Sequence, residues 1–172
     1  MSKRSSATSV LNFTGSNTPY AKRGPERLVL EGYRHLAAGY QTGSIEPWEI
    51  ARSIYRKELE PRDATRAFGE LSEFMRALNT CARCPLRLYP FHSEALCLDE
   101  CLSLGLIASL QHGDHASQLC LQHLSCPFRE DEIERSAKSF AMVLDAVGQR
   151  LLPVPASVIG NILTESQELS IQ

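Results

Sequence analysis

Between Ala95 and Leu110 the chain reads ALCLDECLSLGLIASL, with Asp99 and Glu100 its only charged residues. A helix that is apolar nearly all the way round is stable only where neighbouring elements cover most of its surface. The stretch therefore predicts a buried central helix, at about residues 94–111, and requires amphipathic companions to enclose it. A chain of 172 residues is long enough to do so as one domain, without disulfides or metal to compensate for a small core.

The companions show as periodicity. Val29, Tyr33, Leu36 and Tyr40 recur at helical spacing ahead of the stop at Thr42-Gly43, giving a first helix from about Glu26 to Gln41. Ser44 is placed to cap a second helix, with Pro47 in its permissive first turn and Trp48, Ala51, Tyr55 and Leu59 along one side. Pro61 ends that stripe and opens a third helix. Its face of Ala64, Ala67, Phe68, Leu71, Phe74, Met75 and Leu78 is the clearest in the chain, despite Gly69, which costs about 1 kcal/mol relative to alanine. Ser93 is the expected cap of the central helix, and Gly113 and Asp114 punctuate its far end before a short helix from about His115 to Ser125. Pro127 then starts a helix with Glu130, Asp131 and Glu132 at its positive end and Ile133, Ala137, Phe140, Leu144 and Val147 on its buried side. Leu152-Pro153-Val154-Pro155 breaks it, leaving a brief apolar segment around Val158 to Leu163.

No internal repeat and no convincing strand alternation is present. The expected fold is all-α: a single-domain helical bundle of about six or seven helices spanning residues 26–164. Residues 1–25 are rich in Ser, Thr, Asn, Gly and Lys/Arg and read as a flexible basic tail; residues 165–172 read as a flexible C-terminal tail.

Charge limits the partners. The formal net charge is −2, and because residues 1–25 carry Lys3, Arg4, Lys22 and Arg23 with no acid, the remainder holds −6. Such a balance argues weakly against a body that grips nucleic acid by charge alone, while the basic tail could still touch phosphates or acidic lipid. The longest apolar or small run, Leu102 to Leu110, falls far short of the ~20 residues of a membrane span. No apolar run follows the N-terminal basic residues as in a secretory signal, so a reducing cytosol is the expected compartment, where cysteines serve as thiols or metal ligands.

All six cysteines lie between Cys81 and Cys126, together with His92, His112, His115 and His123. Cys81-x2-Cys84, then twelve residues, then Cys97-x3-Cys101 has the intervals of a two-cysteine, two-histidine zinc finger with cysteine in place of histidine. A tight turn aims the first two thiolates together and a helix presents the second pair at i and i+4, so four soft ligands could hold a structural zinc. Leu88 and Glu94 stand where a nucleic-acid-reading finger has its aromatic and leucine, and buried thiols that simply fill the core explain the same residues. A rival ligand set joins Cys81 and Cys84 with Cys120, His123 and Cys126. The spacings fit iron-sulfur and redox-dithiol sites less well.

His112-Gly113-Asp114-His115 reads as a helix stop with Asp114 as a cap rather than as chemistry. Glu94 and Glu100 lack the Glu-x-x-His spacing of a carboxylate metal site, and neither a phosphate-cradling glycine loop nor a nucleophile elbow occurs, so catalysis is not expected. The second and third helices resemble a helix-turn-helix at Ile50-Ala51 and Ile54, but no glycine turn lies between them. Arg56, Lys57, Arg62 and Arg66 read as a solvated face paired with Glu58 and Asp63. The expected function is a small non-catalytic cytosolic regulator or adaptor acting through protein contacts, its partner unidentified. A DNA-binding transcriptional regulator is the alternative, and a metal- or thiol-dependent enzyme the third reading.

Overall fold

The computed structural model describes residues 20–81 and 86–170, without the side chains of Cys81 and of residues 168–170. A 3₁₀ turn, Tyr20–Lys22, leads into α1 (Gly24–Thr42), α2 (Glu46–Glu58), α3 (Pro61–Cys81), α4 (Leu98–His112), α5 (Ala116–Leu124), α6 (Glu130–Ala146) and α7 (Ala156–Ser170). No strand occurs among the described residues, and the chain forms the all-α, single-domain bundle that its periodicity predicts.

The central helix is α4, in which every residue from Glu100 to Ser109 is buried. It packs on α1, α5, α6 and α7. Gly105 permits the closest of these approaches, because a Cβ there would stand 2.9 Å from Ile159 Cδ1 on α7 and 3.2 Å from Cys120 Sγ on α5. The long helix α3 packs on α1, α2 and α6, so α6 joins the N-terminal three helices to the group around α4. Phe74 of α3 stacks with Phe140 of α6 at 6.3 Å, where the two longest apolar stripes meet.

Local signals act where the sequence places them. Gly43 ends α1 in the left-handed region at φ 67°, its N–H closing on the Gly39 carbonyl at 2.9 Å. Ser44 Oγ accepts from the Glu46 N–H at 3.2 Å and so helps to start α2, one residue ahead of the Ile45 cap position. Gly113 ends α4 in the same way as Gly43, at φ 68°.

Boundaries differ in four places. The central helix begins at Leu98 instead of about 94, because Ser93 and Ala95 give their carbonyls to the Arg34 guanidinium at 2.8 Å each and so do not enter a helical ladder. Cys97 is the cap residue there, and Ser93 only turns the chain, accepting from the Ala95 N–H at 3.2 Å. Pro127 and Phe128 form a turn before α6, which starts at Glu130 with its three acids at the positive end of the helix. The apolar segment near Val158 is part of α7, which starts directly after Pro155, is anchored by buried Ile159, Ile162 and Leu163, and keeps helical backbone through Ser170 where a flexible tail was expected from 165. At the other end, Tyr20 and Ala21 are buried and Gly24 and Pro25 already belong to α1, so the folded body starts before residue 26; residues 1–19 of the expected basic tail lie outside the described residues. No helix among the described residues is long and apolar enough to cross a membrane.

Candidate functional site

The most heavily charged part of the interior lies where α1 meets the start of α4. Leu28, Val29, Leu30, Tyr33, Leu36 and Ala37 cover more than one face of α1, so the charged residues among them are carried inside: Glu26 and Arg34 are fully buried, and Glu31 and His35 nearly so. A charge removed from water is tolerated only with a partner and full hydrogen bonding. Arg34 has both. Its Nε donates to Glu100 Oε1 at 2.8 Å and its Nη2 to Glu100 Oε2 at 3.2 Å, while Nη1 and Nη2 donate to the Ser93 and Ala95 carbonyls.

Glu100 is equally occupied. Besides Arg34 it accepts the Tyr89 N–H at 2.9 Å and the Cys97 N–H at 2.9 Å, the second being the carboxylate half of a capping box at the start of α4. One ion pair thus pins residues 87–97, a strap without helix, across α1 and α4. Tyr33 Oη donating to the Arg87 carbonyl at 3.0 Å and Gln41 Nε2 donating to the Leu86 carbonyl add to the hold. Phe91 stacks on His35 at 4.2 Å, and His35 Nδ1 donates to the Glu31 carbonyl at 2.8 Å, so this imidazole is fixed by architecture.

The cysteines sit close to this strap. Cys97 donates its thiol to the Arg87 carbonyl at 3.2 Å. Burial is the main force raising its thiol and that of Cys120 to about 12, and burial likewise raises Cys101 well above the usual range, with Cys97, Glu100 and Cys120 adding repulsion. Protonated and enclosed, these three sulfurs are poor nucleophiles at neutral pH. Of the first ligand set, the structure places Cys97 at the cap of α4 and Cys101 in its first turn; Cys84 lies outside the described residues and Cys81 is described by its backbone alone. Of the rival set, Cys120 is buried on α5, Cys126 is half-buried beyond its end, and His123 is exposed with Nδ1 donating to the Leu119 carbonyl at 3.0 Å. Among the described residues no group of three or more His, Cys, Asp or Glu side chains is arranged to hold a metal ion.

The His112-Gly113-Asp114-His115 run does the structural work expected of it. Asp114 Oδ1 accepts from the Ala116 N–H at 2.9 Å and from the Ser109 hydroxyl, and His112 Nε2 donates to the Leu151 carbonyl at 2.8 Å.

A second feature lies on the outer face of α2 and α3. Arg52 and Arg56 of α2, with Ala64, Thr65, Phe68, Gly69 and Ser72 of α3, line an open groove of about 410 Å³. The guanidinium carbon of Arg52 stands 5.5 Å from the centre of the Phe68 ring, a cation–π contact that holds it at the groove edge. Here one expectation is overturned. Glu58 lies 3.5 Å from Arg27, and among the described residues Arg56, Lys57, Arg62 and Arg66 form no ion pair, with Glu58 or Asp63 or any other acid. The paired, solvated face is instead an exposed group of unpaired cations.

The single stripe of Val29, Tyr33, Leu36 and Tyr40 does not reveal Glu31, Arg34 and His35 as buried; the sequence signal for them is the apolar residues on all sides of α1. The groove was half legible, in the two arginines at i and i+4 and the glycine inside α3. Comparison with known proteins finds no matching family model, and no matching curated protein or solved structure.

Proposed function

We propose that the chain is a small, non-catalytic, cytosolic regulatory or adaptor protein, and that the α2–α3 groove is the surface that meets its protein partner. What carries this reading is a contrast in how the charged groups are used. Arg34, Glu100 and the Cys97 thiol are consumed in holding the strap and the start of α4, whereas the arginines of the groove are exposed beside an aromatic floor and Arg56 has no acid of its own among the described residues. Arginine next to an aromatic residue is the composition that protein interfaces favour.

A photo-crosslinking amino acid in place of Thr65 tests the reading. The expected result is a discrete protein adduct that is lost with Arg56→Glu and absent when the crosslinker replaces Gln149, three residues beyond the end of α6. No adduct, together with a salt-dependent shift of duplex DNA, would replace the adaptor with a DNA-binding regulator acting through the same two helices. A structural zinc on Cys81, Cys84, Cys97 and Cys101 belongs to the same proposal, favoured by the one-turn spacing of Cys97 and Cys101 at the start of α4. Metal analysis of reductively purified protein tests it, with loss of the metal in Cys84→Ser as the expected result and metal-free parent protein as the refuting one.

A further inference from the structure

The adaptor reading leaves the chemistry of the partner open, and the groove itself narrows it. Gly69 stands in the interior of α3, where glycine costs about 1 kcal/mol relative to alanine. Neither backbone nor packing calls for it: a Cβ at this position meets nothing within 4 Å, and no positive φ is involved. What the missing side chain does is keep the groove open beside Ala64, Thr65 and Phe68. The lining from Thr65 to Ser72 follows α3 for about 11 Å at the ~1.5 Å rise of a helix, the span of three or four residues of extended chain.

The electrostatics select the occupant. Arg52 and Arg56 are i, i+4 neighbours on one face of α2, and among the described residues no acid lines the groove. The Arg52 pairing with Glu49 is long, 3.8 Å, and exposed, the kind of ion pair that an incoming carboxylate displaces at little cost. Duplex DNA is a poorer match. Glu49, Asp63 and Glu70 are interspersed with the cations along the same two helices, and would repel a backbone carrying a charge every ~1.7 Å. A peptide needs only one or two carboxylates, set beside an apolar side chain that meets the exposed edge of Phe68 and the open space at Gly69.

We infer that the α2–α3 groove binds an acidic peptide segment in which a carboxylate-bearing residue stands next to an apolar one. The carboxylate takes the guanidinium edges of Arg52 and Arg56, and the apolar neighbour lies over Phe68 in the space left by Gly69. This rests on the adaptor reading and adds the chemistry of the partner to it.

Fluorescence anisotropy with the full-length chain tests the inference, using as probe a fluorescein-labelled peptide of repeating Glu-Leu-Asp-Leu, its Gln-Leu-Asn-Leu counterpart and a labelled DNA duplex. The expected result is binding of the acidic peptide, weakened about tenfold or more by Arg56→Glu and by Gly69→Leu, which puts a side chain into the groove from a position whose Cβ meets open space. Gly160→Ala, at a glycine of α7 whose Cβ would also meet open space, is the control and leaves binding unchanged. Equal binding of the amide peptide, tighter binding of the duplex, or a Gly69→Leu variant that binds like the parent would each overturn the inference. If the acidic probe fails while the Thr65 crosslink still traps a protein in an Arg56-dependent way, the acidic chemistry is wrong and the adaptor reading stands; if both fail, both are wrong.

Discussion

Replacing Glu100 with glutamine keeps the size of the side chain and removes only its charge and half of its acceptor capacity. In the parent, Oε1 and Oε2 together receive Arg34 Nε at 2.8 Å, Arg34 Nη2 at 3.2 Å, the Tyr89 N–H at 2.9 Å and the Cys97 N–H at 2.9 Å. A glutamine offers one acceptor oxygen, and its NH₂ faces groups that are themselves donors. Arg34, which has no solvent exposure, keeps a full charge with the Ser93 and Ala95 carbonyls and the Glu31 carboxylate, a longer contact at 3.9 Å, to balance it. Breaking a buried pair in this way costs about 3–5 kcal/mol. At roughly 2–4 °C per kcal/mol for a chain of this size, the melting temperature should fall by about 6–20 °C. Thermal and urea unfolding measure the global cost, and amide exchange locates it: the Tyr89 and Cys97 amides should lose protection before those in the middle of α3. In a double-mutant cycle with Arg34→Met, the pair should cost less than the sum of the singles by more than about 1 kcal/mol, since the second change removes the stranded charge. A Glu100→Gln protein that melts within 2 °C of the parent would refute the assignment of this ion pair as the clamp of the strap.

Two glycines should respond oppositely to the same change. Gly69→Ala meets open space and should raise stability by about 1 kcal/mol, read as a higher urea midpoint. Gly39→Ala should lower it by about 1–3 kcal/mol, because its Cβ would come within 2.2 Å of the Trp48 ring, which packs α2 on α1 and has no flexible end to yield. Alkaline pH should destabilise the fold. Cys97 and Cys120 keep their protons to about 12 when folded but ionise near 9 when unfolded, so above that pH the folded state binds more protons and stability falls as pH rises. The loss is about 1.4 kcal/mol per thiol per pH unit between those limits, and urea midpoints at pH 8 and pH 10 should differ accordingly in the parent and less in Cys97→Ala/Cys120→Ala. Under native conditions an alkylating reagent, read by peptide mass mapping, should modify half-buried Cys126 ahead of buried Cys97, Cys101 and Cys120; early loss of Cys101 would contradict the packing of α4.

Much of the architecture was legible because the decisive signals are local. The apolar run of α4, the stripes of α1, α3 and α6 and the glycine stops at 43 and 113 each specify an element without reference to distant residues. The start of α4 was not legible for the converse reason. Residues 93–97 have ordinary helix-forming composition, and what keeps them extended is Arg34, some sixty positions earlier, taking their carbonyls. The lone-stripe reading of α1 hid Arg34 itself, since a charge inside a helix face is normally a sign of solvent. The groove lay between these cases: Arg52, Arg56 and Gly69 stand out in sequence, but only the crossing of α2 and α3 shows that the arginines flank the gap left by the glycine, and that Glu58 is engaged with Arg27.

These two outcomes bear on each other. A buried ion pair adds little net stability relative to well-packed apolar residues, because desolvating both charges offsets most of their attraction. Its benefit here is specificity: Arg34 and Glu100 accept only one path for residues 87–97, and with that path set, the N-terminal end of α4 is fixed against α1. α1 in turn packs against both α2 and α3, so the seam at the centre is connected to both walls of the groove through one helix. A binding surface formed by two exposed helix faces depends on such a scaffold, since preorganised walls reduce the ordering cost of binding. Loosening the clamp through Glu100→Gln should therefore weaken the acidic probe even though Glu100 does not line the groove, and probe affinity unchanged in a demonstrably loosened protein would separate the seam from the groove.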